Sequence, residues 1–231
     1  MIDFQISSAE TMARAIREVV IIPFFRSGIP GYSIRDLTKP GFWFDEGEDS
    51  LGPWDWKIDC LQSSGIAYGK FLCGGKAAFA TIPFYRELMN VRRATTQPDE
   101  NGRKIMTPLE GQEVITIREV RELLGVKKSA ADAAITKLQH QCRVVTGVIE
   151  RVYRGPYHTY NGWQVASFCT PESLFNFDFA SFPFQDSLID SDAFSLHTNH
   201  TPEESLEFLK THIAGLFSGA VSEKQIMGVL K

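Results

Sequence analysis

The sequence predicts an α+β fold with a winged helix-turn-helix in the middle of the chain. Three observations lead to this prediction. A short capped helix is expected at 116–124, and a second helix follows it after a tight connection at 126–128. Two segments rich in β-branched and aromatic residues come next, at 144–153 and 162–170, separated by a turn-forming loop. A helix, a turn, a helix and a hairpin follow one another in this order in winged-helix modules.

The two central helices are predicted from their terminal residues. Thr116 precedes an apolar run, and Glu119 stands three residues later, which is the pattern of a capping box. Gly125 follows the last apolar position, where a left-handed glycine often ends a helix. We expect Ser129 to cap the second helix, with Asp132 completing the same pattern.

The N-terminal third shows a similar succession of elements. A capping box at 7–10, with Ser7 as N-cap, predicts a helix that Pro23 ends or kinks. A second, short helix is expected after Ser33, and a hairpin at 66–82 is expected around two glycines. A longer helix at 83–93 begins with proline. This order suggests a degenerate second winged-helix module.

The polar segment 94–112 is predicted to be a linker, because it is rich in turn-forming residues. The expected organisation is therefore an N-terminal α+β module at 1–94, a winged-helix domain at 105–170 and a C-terminal extension at 171–231.

The C-terminal extension is predicted to combine an extended segment with helices. Five phenylalanines alternate with polar or small residues from Phe175 to Phe184, which is typical of an extended segment packed on a core. Thr201 and Ser222 are expected to cap two further helices. The first of these, at 202–217, is expected to pack across the two modules or to form a contact in a homo-oligomer.

Composition and charge exclude several classes of protein. The chain has 231 residues, of which 43% are hydrophobic and 23% charged, as in ordinary globular proteins. Its net charge of −4 argues against indiscriminate coating of nucleic acid. The charge is uneven, because residues 103–169 hold ten basic and six acidic side chains, whereas residues 170–231 hold three basic and nine acidic ones. The winged-helix segment is thus the only basic part.

A cytoplasmic location is expected from the sequence. No stretch reaches the roughly 18 apolar residues of a membrane span, and the start shows no signal-peptide pattern. The four cysteines lack the spacing of metal or redox motifs, and the histidines are scattered, so neither a metal nor a cofactor is predicted.

Double-stranded DNA is the partner that the winged-helix segment predicts, and a transcriptional regulator is the role that fits. Basic, polar and aromatic side chains stand at the start of the second helix, along it and near the hairpin tip, where phosphates and base edges are contacted. The candidate contact residues are Lys127, Lys128, Ser129, Thr136, Lys137, Arg151, Arg154, Tyr157 and His158. The alternative is a protein-interaction module, which is favoured if these cations pair with the acidic C-terminal third.

The segment Ile117–Thr170, together with 41–44, 52–57 and 66–71, resembles the AlkZ-related family, the shorter relatives of winged-helix DNA glycosylases. In those glycosylases a Gln-x-Gln or Gln-x-Asp pair after a helix positions the hydrolytic water. The resemblance implies that Gln139 and Gln141 are the catalytic pair of a base-excision enzyme. The competing interpretation is that both side chains are solvated at the end of a helix.

A second candidate site is the sequence Trp54-Asp55-Trp56-Lys57. In an extended segment both indoles would lie on one face, where they could stack on a base, and the carboxylate could act as a general base. The alternative is that the two tryptophans anchor the core, because large aromatic side chains are costly to expose.

Overall fold

The computed structural model describes residues 4–44, 51–62, 65–111, 114–175 and 195–231. The fold is α+β, as predicted, with helices around two small antiparallel sheets. The first half comprises α1 (Ala9–Val19), β1 (Ile21–Pro23), α2 (Ile34–Leu37), a 3-10 turn (Pro40–Phe44), α3 (Pro53–Gln62), β2 (Ile66–Leu72) and β3 (Lys76–Thr81).

Helix α1 begins one residue later than predicted. Ser8 is the N-cap rather than Ser7, and its partner in the capping box is Thr11 rather than Glu10. The helix ends at Val19, since Val20 adopts a left-handed conformation with φ of 60°. Pro23 therefore lies in β1, and the helix has already ended when the chain reaches it.

The segment 94–111 is mostly helical, so the prediction of a turn-rich linker there was wrong. Helix α4 (Ile82–Thr95) is followed by α5 (Glu100–Glu110), which Asp99 caps by accepting a 2.8 Å hydrogen bond from the Gly102 amide. Ile105 and Leu109 are buried on one face of α5. Glu100 and Asn101, two of the polar residues that suggested a turn, are exposed at the start of this helix.

The second half contains β4 (Ile115–Thr116), α6 (Ile117–Leu124), α7 (Lys128–His140), β5 (Val145–Arg154) and β6 (Thr159–Cys169). The capping box of Thr116 with Glu119 and the left-handed Gly125 are confirmed. The predicted cap of α7 was wrong, because Lys127 occupies the N-cap without a side-chain hydrogen bond and Ser129 lies inside the helix.

The two halves share one order of elements and one order of strands. When α5 is counted with the second half, and the 3-10 turn of the first half is left aside, a helix, a strand, two helices and two strands follow one another in each half. The first sheet has the order β1-β3-β2 and the second β4-β6-β5, so the last strand lies in the middle of both. All strand pairs within these sheets are antiparallel.

The C-terminal helices are α8 (Pro171–Phe175), α9 (Pro202–Leu216) and α10 (Glu223–Leu230). The caps Thr201 and Ser222 are confirmed, and both form capping boxes. The prediction of an extended segment of phenylalanines was wrong at Phe175. This residue ends α8, and its side chain is buried. The other four phenylalanines of that segment lie outside the described residues.

Two apolar clusters stabilise the fold. The smaller cluster lies under α5, α6 and α7. The larger cluster runs from Ile6 to Leu230 and includes Cys142, Val145 and Ile149 from the second half. Among the described helices, none is long and apolar enough to cross a bilayer.

Candidate active site and nucleic-acid interface

A cleft of about 230 Å³ lies between the two halves. The cleft brings together polar side chains from distant parts of the sequence. Lys57, Tyr68 and Lys70 line it from the first half, and Asp132, Gln139 and Gln164 line it from the second.

Gln139 lies at the wall of this cleft and links the two halves. Its side chain is 2% exposed. Its Nε2 donates a 2.9 Å hydrogen bond to Thr146 Oγ1, and its Oε1 accepts one of 3.3 Å from the Lys70 amide. This close approach depends on Gly69, where a Cβ atom would lie 3.2 Å from Gln139 Nε2.

Gln141 lies elsewhere, so the structure does not bring the predicted pair together in the cleft. Its Nε2 donates a 3.0 Å hydrogen bond to the Gln97 carbonyl, and the residue is buried. Its Oε1 is buried without a hydrogen-bond partner among the described residues. The interpretation of Gln139 and Gln141 as solvated side chains was wrong for both.

The tryptophan segment forms a helix, so the prediction of an extended segment was wrong. Successive residues of a helix turn by about 100°, which places Trp54 and Trp56 on different faces. Trp56 is 3% exposed and anchors the core, as the alternative interpretation expected. Trp54 is 46% exposed and contacts Phe24, Phe25 and Trp43.

Asp55 belongs to a polar network between α3 and the β5–β6 hairpin. Its Oδ1 accepts hydrogen bonds from the Tyr160 hydroxyl and, at 3.3 Å, from Gln164 Nε2. Arg151 donates at 3.2 Å to Asp59 and at 3.3 Å to the Asp55 carbonyl. Burial raises the pKa of Tyr160, and the bond to Asp55 raises it further. The network attaches the hairpin to α3.

Lys57 is the buried cation of the cleft. Its Nζ donates a 2.6 Å hydrogen bond to Gln164 Oε1 and lies 4.8 Å from the centre of the Trp54 ring. Burial lowers the pKa of Lys57 to about 8, although the nearby Asp55 carboxylate opposes this shift. An amine with this pKa is partly neutral near physiological pH.

The predicted DNA contacts separate into exposed and engaged residues. Lys127, Lys128 and Ser129 are exposed at the start of α7. At the hairpin tip, Tyr157 is 88% exposed, and His158 and Arg154 are also exposed. The Arg154 guanidinium lies 4.9 Å from the centre of the Trp163 ring.

The other predicted contacts have partners within the protein. Thr136 donates to the Asp132 carbonyl at 2.7 Å and accepts from Lys70 Nζ at 3.1 Å. Lys137 pairs with Asp99 at 2.8 Å. Arg151 contacts Asp55 and Asp59. The partners of Thr136, Lys137 and Arg151 all lie before residue 133 in the sequence. In the part of the chain that the structure describes, none of the predicted DNA-contacting cations pairs with the acidic C-terminal third.

Some residues of the site could not be recognised from the sequence. Lys70, Tyr160 and Gln164 contribute to the cleft or its network, yet each lies in a strand without any distinguishing motif. The only available signal was the alternation of side chains along a strand, which places every second residue on one face. No group of three or more His, Cys, Asp or Glu side chains that could hold a metal occurs in the described ranges.

Fold and site together define a class: an α+β protein of two similarly ordered halves, with a cleft between them that both polar and apolar side chains line. The chain belongs to the AlkZ-related family, whose model matches residues 6–231. No curated protein and no solved structure matches the chain significantly.

Proposed function

We propose that the chain binds double-stranded DNA through a winged helix at 105–170, as a regulator would. The order α5, β4, α6, α7, β5, β6 with the sheet order β4-β6-β5 supports this assignment, because a winged helix has this succession of helices and strands. Membership of the AlkZ-related family supports a nucleic-acid partner. By the same argument, the first half is a degenerate copy of the module.

The observation that carries the proposal is a set of exposed cations without carboxylate partners. Lys127 and Lys128 at the start of α7, and Arg154 near the hairpin tip, form no salt bridge within the described chain. Free cations at these two places of a winged helix are positioned to contact phosphates. Ser129, Tyr157 and His158 add exposed hydrogen-bonding groups beside them.

The contact surface is narrower than the sequence predicts. Strand β2 packs against the later turns of α7 and leaves less of this helix open to DNA. Thr136, Lys137 and Arg151 have partners within the protein, so their contribution to DNA binding is smaller than that of Lys127 and Lys128. DNA contacts by α7 are therefore concentrated in its first turn.

Fluorescence anisotropy with a labelled duplex over a salt series tests the proposal. We expect affinity to fall steeply with salt, because phosphate contacts release counterions. The double variant Lys127→Ala, Lys128→Ala should reduce the salt slope by about 2. Lys224→Ala, an exposed lysine on α10, is the matched control and should leave the slope unchanged. Absence of binding at low salt would reject the proposal and favour a protein-interaction module.

A second candidate function, base excision, is favoured by the position of Gln139. This amide lies in a cleft between two halves, where an extruded base would be shielded from solvent. Incubation with alkylated DNA should then yield an abasic product. Gln139→Ala should abolish the product and Gln141→Ala should not, because only Gln139 lines the cleft. Lack of product with the unaltered protein rejects this function.

A further inference from the structure

Lys57 is a buried amine that lies outside the proposed DNA-binding surface. It is 6% exposed and lines the cleft between the halves. Within the described residues it forms no salt bridge, and its contacts are one amide oxygen, on Gln164, and the Trp54 ring. An ammonium has three donors, so this group is left with hydrogen-bonding capacity that Gln164 alone does not satisfy.

The environment of Lys57 raises the share of neutral amine above that of an ordinary lysine. Burial lowers its pKa to about 8, in spite of the Asp55 carboxylate. A neutral lysine in a desolvated pocket is a nucleophile towards carbonyl carbon, which is the basis of imine-forming lysines. Lys70 in the same cleft is exposed and hydrogen-bonded to Thr136. The two lysines therefore differ in burial, and only the amine of Lys57 is desolvated as this chemistry requires.

The size of the cleft limits its occupant. Pockets for drug-sized ligands have volumes of about 300–1,000 Å³, and this cleft has about 230 Å³. It is suited to a single sugar better than to a sugar with its base. The exposed ammonium of Lys70 at the cleft is placed to accompany a phosphate.

We propose that Lys57 forms an imine with the open-chain aldehyde of an abasic deoxyribose held in this cleft. The proposal rests on the proposed binding of DNA and names a substrate class for the cleft. It differs from the glutamine-dependent base excision considered above, because the nucleophile is an amine of the protein rather than water.

The reaction balances without an oxidant or a reductant. The Lys57 Nζ lone pair attacks the C1′ carbonyl carbon, and the carbonyl oxygen takes up a proton to give a carbinolamine. In this step one hydrogen of the amine is transferred, overall, to the carbonyl oxygen. Loss of the C1′ hydroxyl with the remaining nitrogen-bound hydrogen, as one water molecule, then leaves the C=N bond. One aldehyde and one amine thus yield one imine and one water molecule.

Borohydride trapping tests the proposal on the full chain. Sodium borohydride delivers hydride to the imine carbon, and a proton from water completes a stable secondary amine. We incubate the protein with a labelled duplex that carries one abasic site, add borohydride and measure the crosslinked band on a denaturing gel. Mass spectrometry of the digested product then identifies the attached lysine, which we expect to be Lys57.

Two substitutions of Lys57 and one matched control make the result specific. Lys57→Met removes the amine, and Lys57→Arg retains a positive charge but cannot form the imine. Both should lower the crosslink at least tenfold, whereas Lys224→Met, at an exposed lysine of α10 that does not line the cleft, should retain it within about twofold. Circular dichroism of each variant verifies folding, and the arginine variant keeps the test decisive if methionine disturbs the cleft.

The outcomes separate this proposal from the proposed function. A crosslink that persists in Lys57→Arg, or that maps to another lysine, overturns the imine. Duplex binding without any crosslink also overturns it and leaves DNA binding intact. A crosslink at Lys57 without measurable equilibrium binding by anisotropy supports the imine and counts against the winged-helix surface, because trapping accumulates even from a weak complex.

Discussion

Replacing Gln139 by leucine tests whether this amide joins the two halves. Leucine has a similar size and cannot form hydrogen bonds, so the change removes the bonds to the Lys70 amide and to Thr146 with little loss of packing. Both partners lie at the boundary between α7, β2 and β5. The substitution therefore acts on the contact between the halves rather than on one element.

The expected magnitude follows from these two hydrogen bonds. A polar group left without its partner in a buried site costs about 1–3 kcal/mol. The Lys70 amide and the Thr146 hydroxyl both lose a partner, so we expect the free energy of unfolding to fall by about 2–6 kcal/mol. Gln141→Leu, at the residue that follows α7, is the matched control, with a smaller cost of about 1 kcal/mol for its one bond to Gln97.

Urea unfolding followed by tryptophan fluorescence measures these values. A double-mutant cycle with Thr146→Val isolates the bond between the two side chains, for which we expect a coupling of about 1 kcal/mol. Additivity of the two substitutions within about 0.3 kcal/mol would refute the hydrogen bond. Equal costs for Gln139→Leu and Gln141→Leu would refute the linking role of Gln139.

Further substitutions probe the rest of the molecule. Gly125→Ala should destabilise by about 1 kcal/mol in urea, because its φ of 63° is left-handed; Gly28→Ala, with open space around it, is the control, and equal effects would contradict the argument. Burial raises the pKa of Glu87, but hydrogen bonds, the first from Ser205, lower it overall below the usual value. The stability that its ionisation contributes is therefore present above the ordinary pKa and is lost as pH falls through the lowered one. Glu87→Gln should then cost stability at pH 7 and little in acid, and a difference independent of pH would exclude this origin. Arg151→Met should lower the melting temperature while reducing DNA affinity less than loss of Lys127 does; the reverse order would show that Arg151 contacts DNA.

The parts of the fold that could be predicted are those that depend on local chemistry. The capping box of Thr116 with Glu119 and the left-handed Gly125 fixed the limits of α6, because each involves residues close in sequence. Helix α5 was missed because its capping residue Asp99 and its polar face resemble a turn. Its buried face of Ile105 and Leu109 becomes evident only against α6 and α7.

The site was less predictable because its contacts are long-range. Lys57 was singled out in a tetrapeptide, but its partner Gln164 is 107 residues away. The neighbouring Trp54 and Trp56 suggested a strand, whereas tertiary packing selected a helix, as it often does over local pattern. Gln139 was identified through a resemblance, and only the packing of α7 on β2 shows that it faces the cleft without Gln141.

The larger apolar cluster limits which fragments of this protein can be expressed as folded units. Since Cys142, Val145 and Ile149 are packed with side chains of the first half and of the C-terminal helices, a fragment limited to 105–170 would expose them to water. Such an excised fragment would be prone to aggregate, and its failure in a binding assay would carry no information about the intact chain. Proteolytic cuts within the base of the β5–β6 hairpin should correspondingly require opening of the whole cluster, so that resistance to proteases reports on both halves at once.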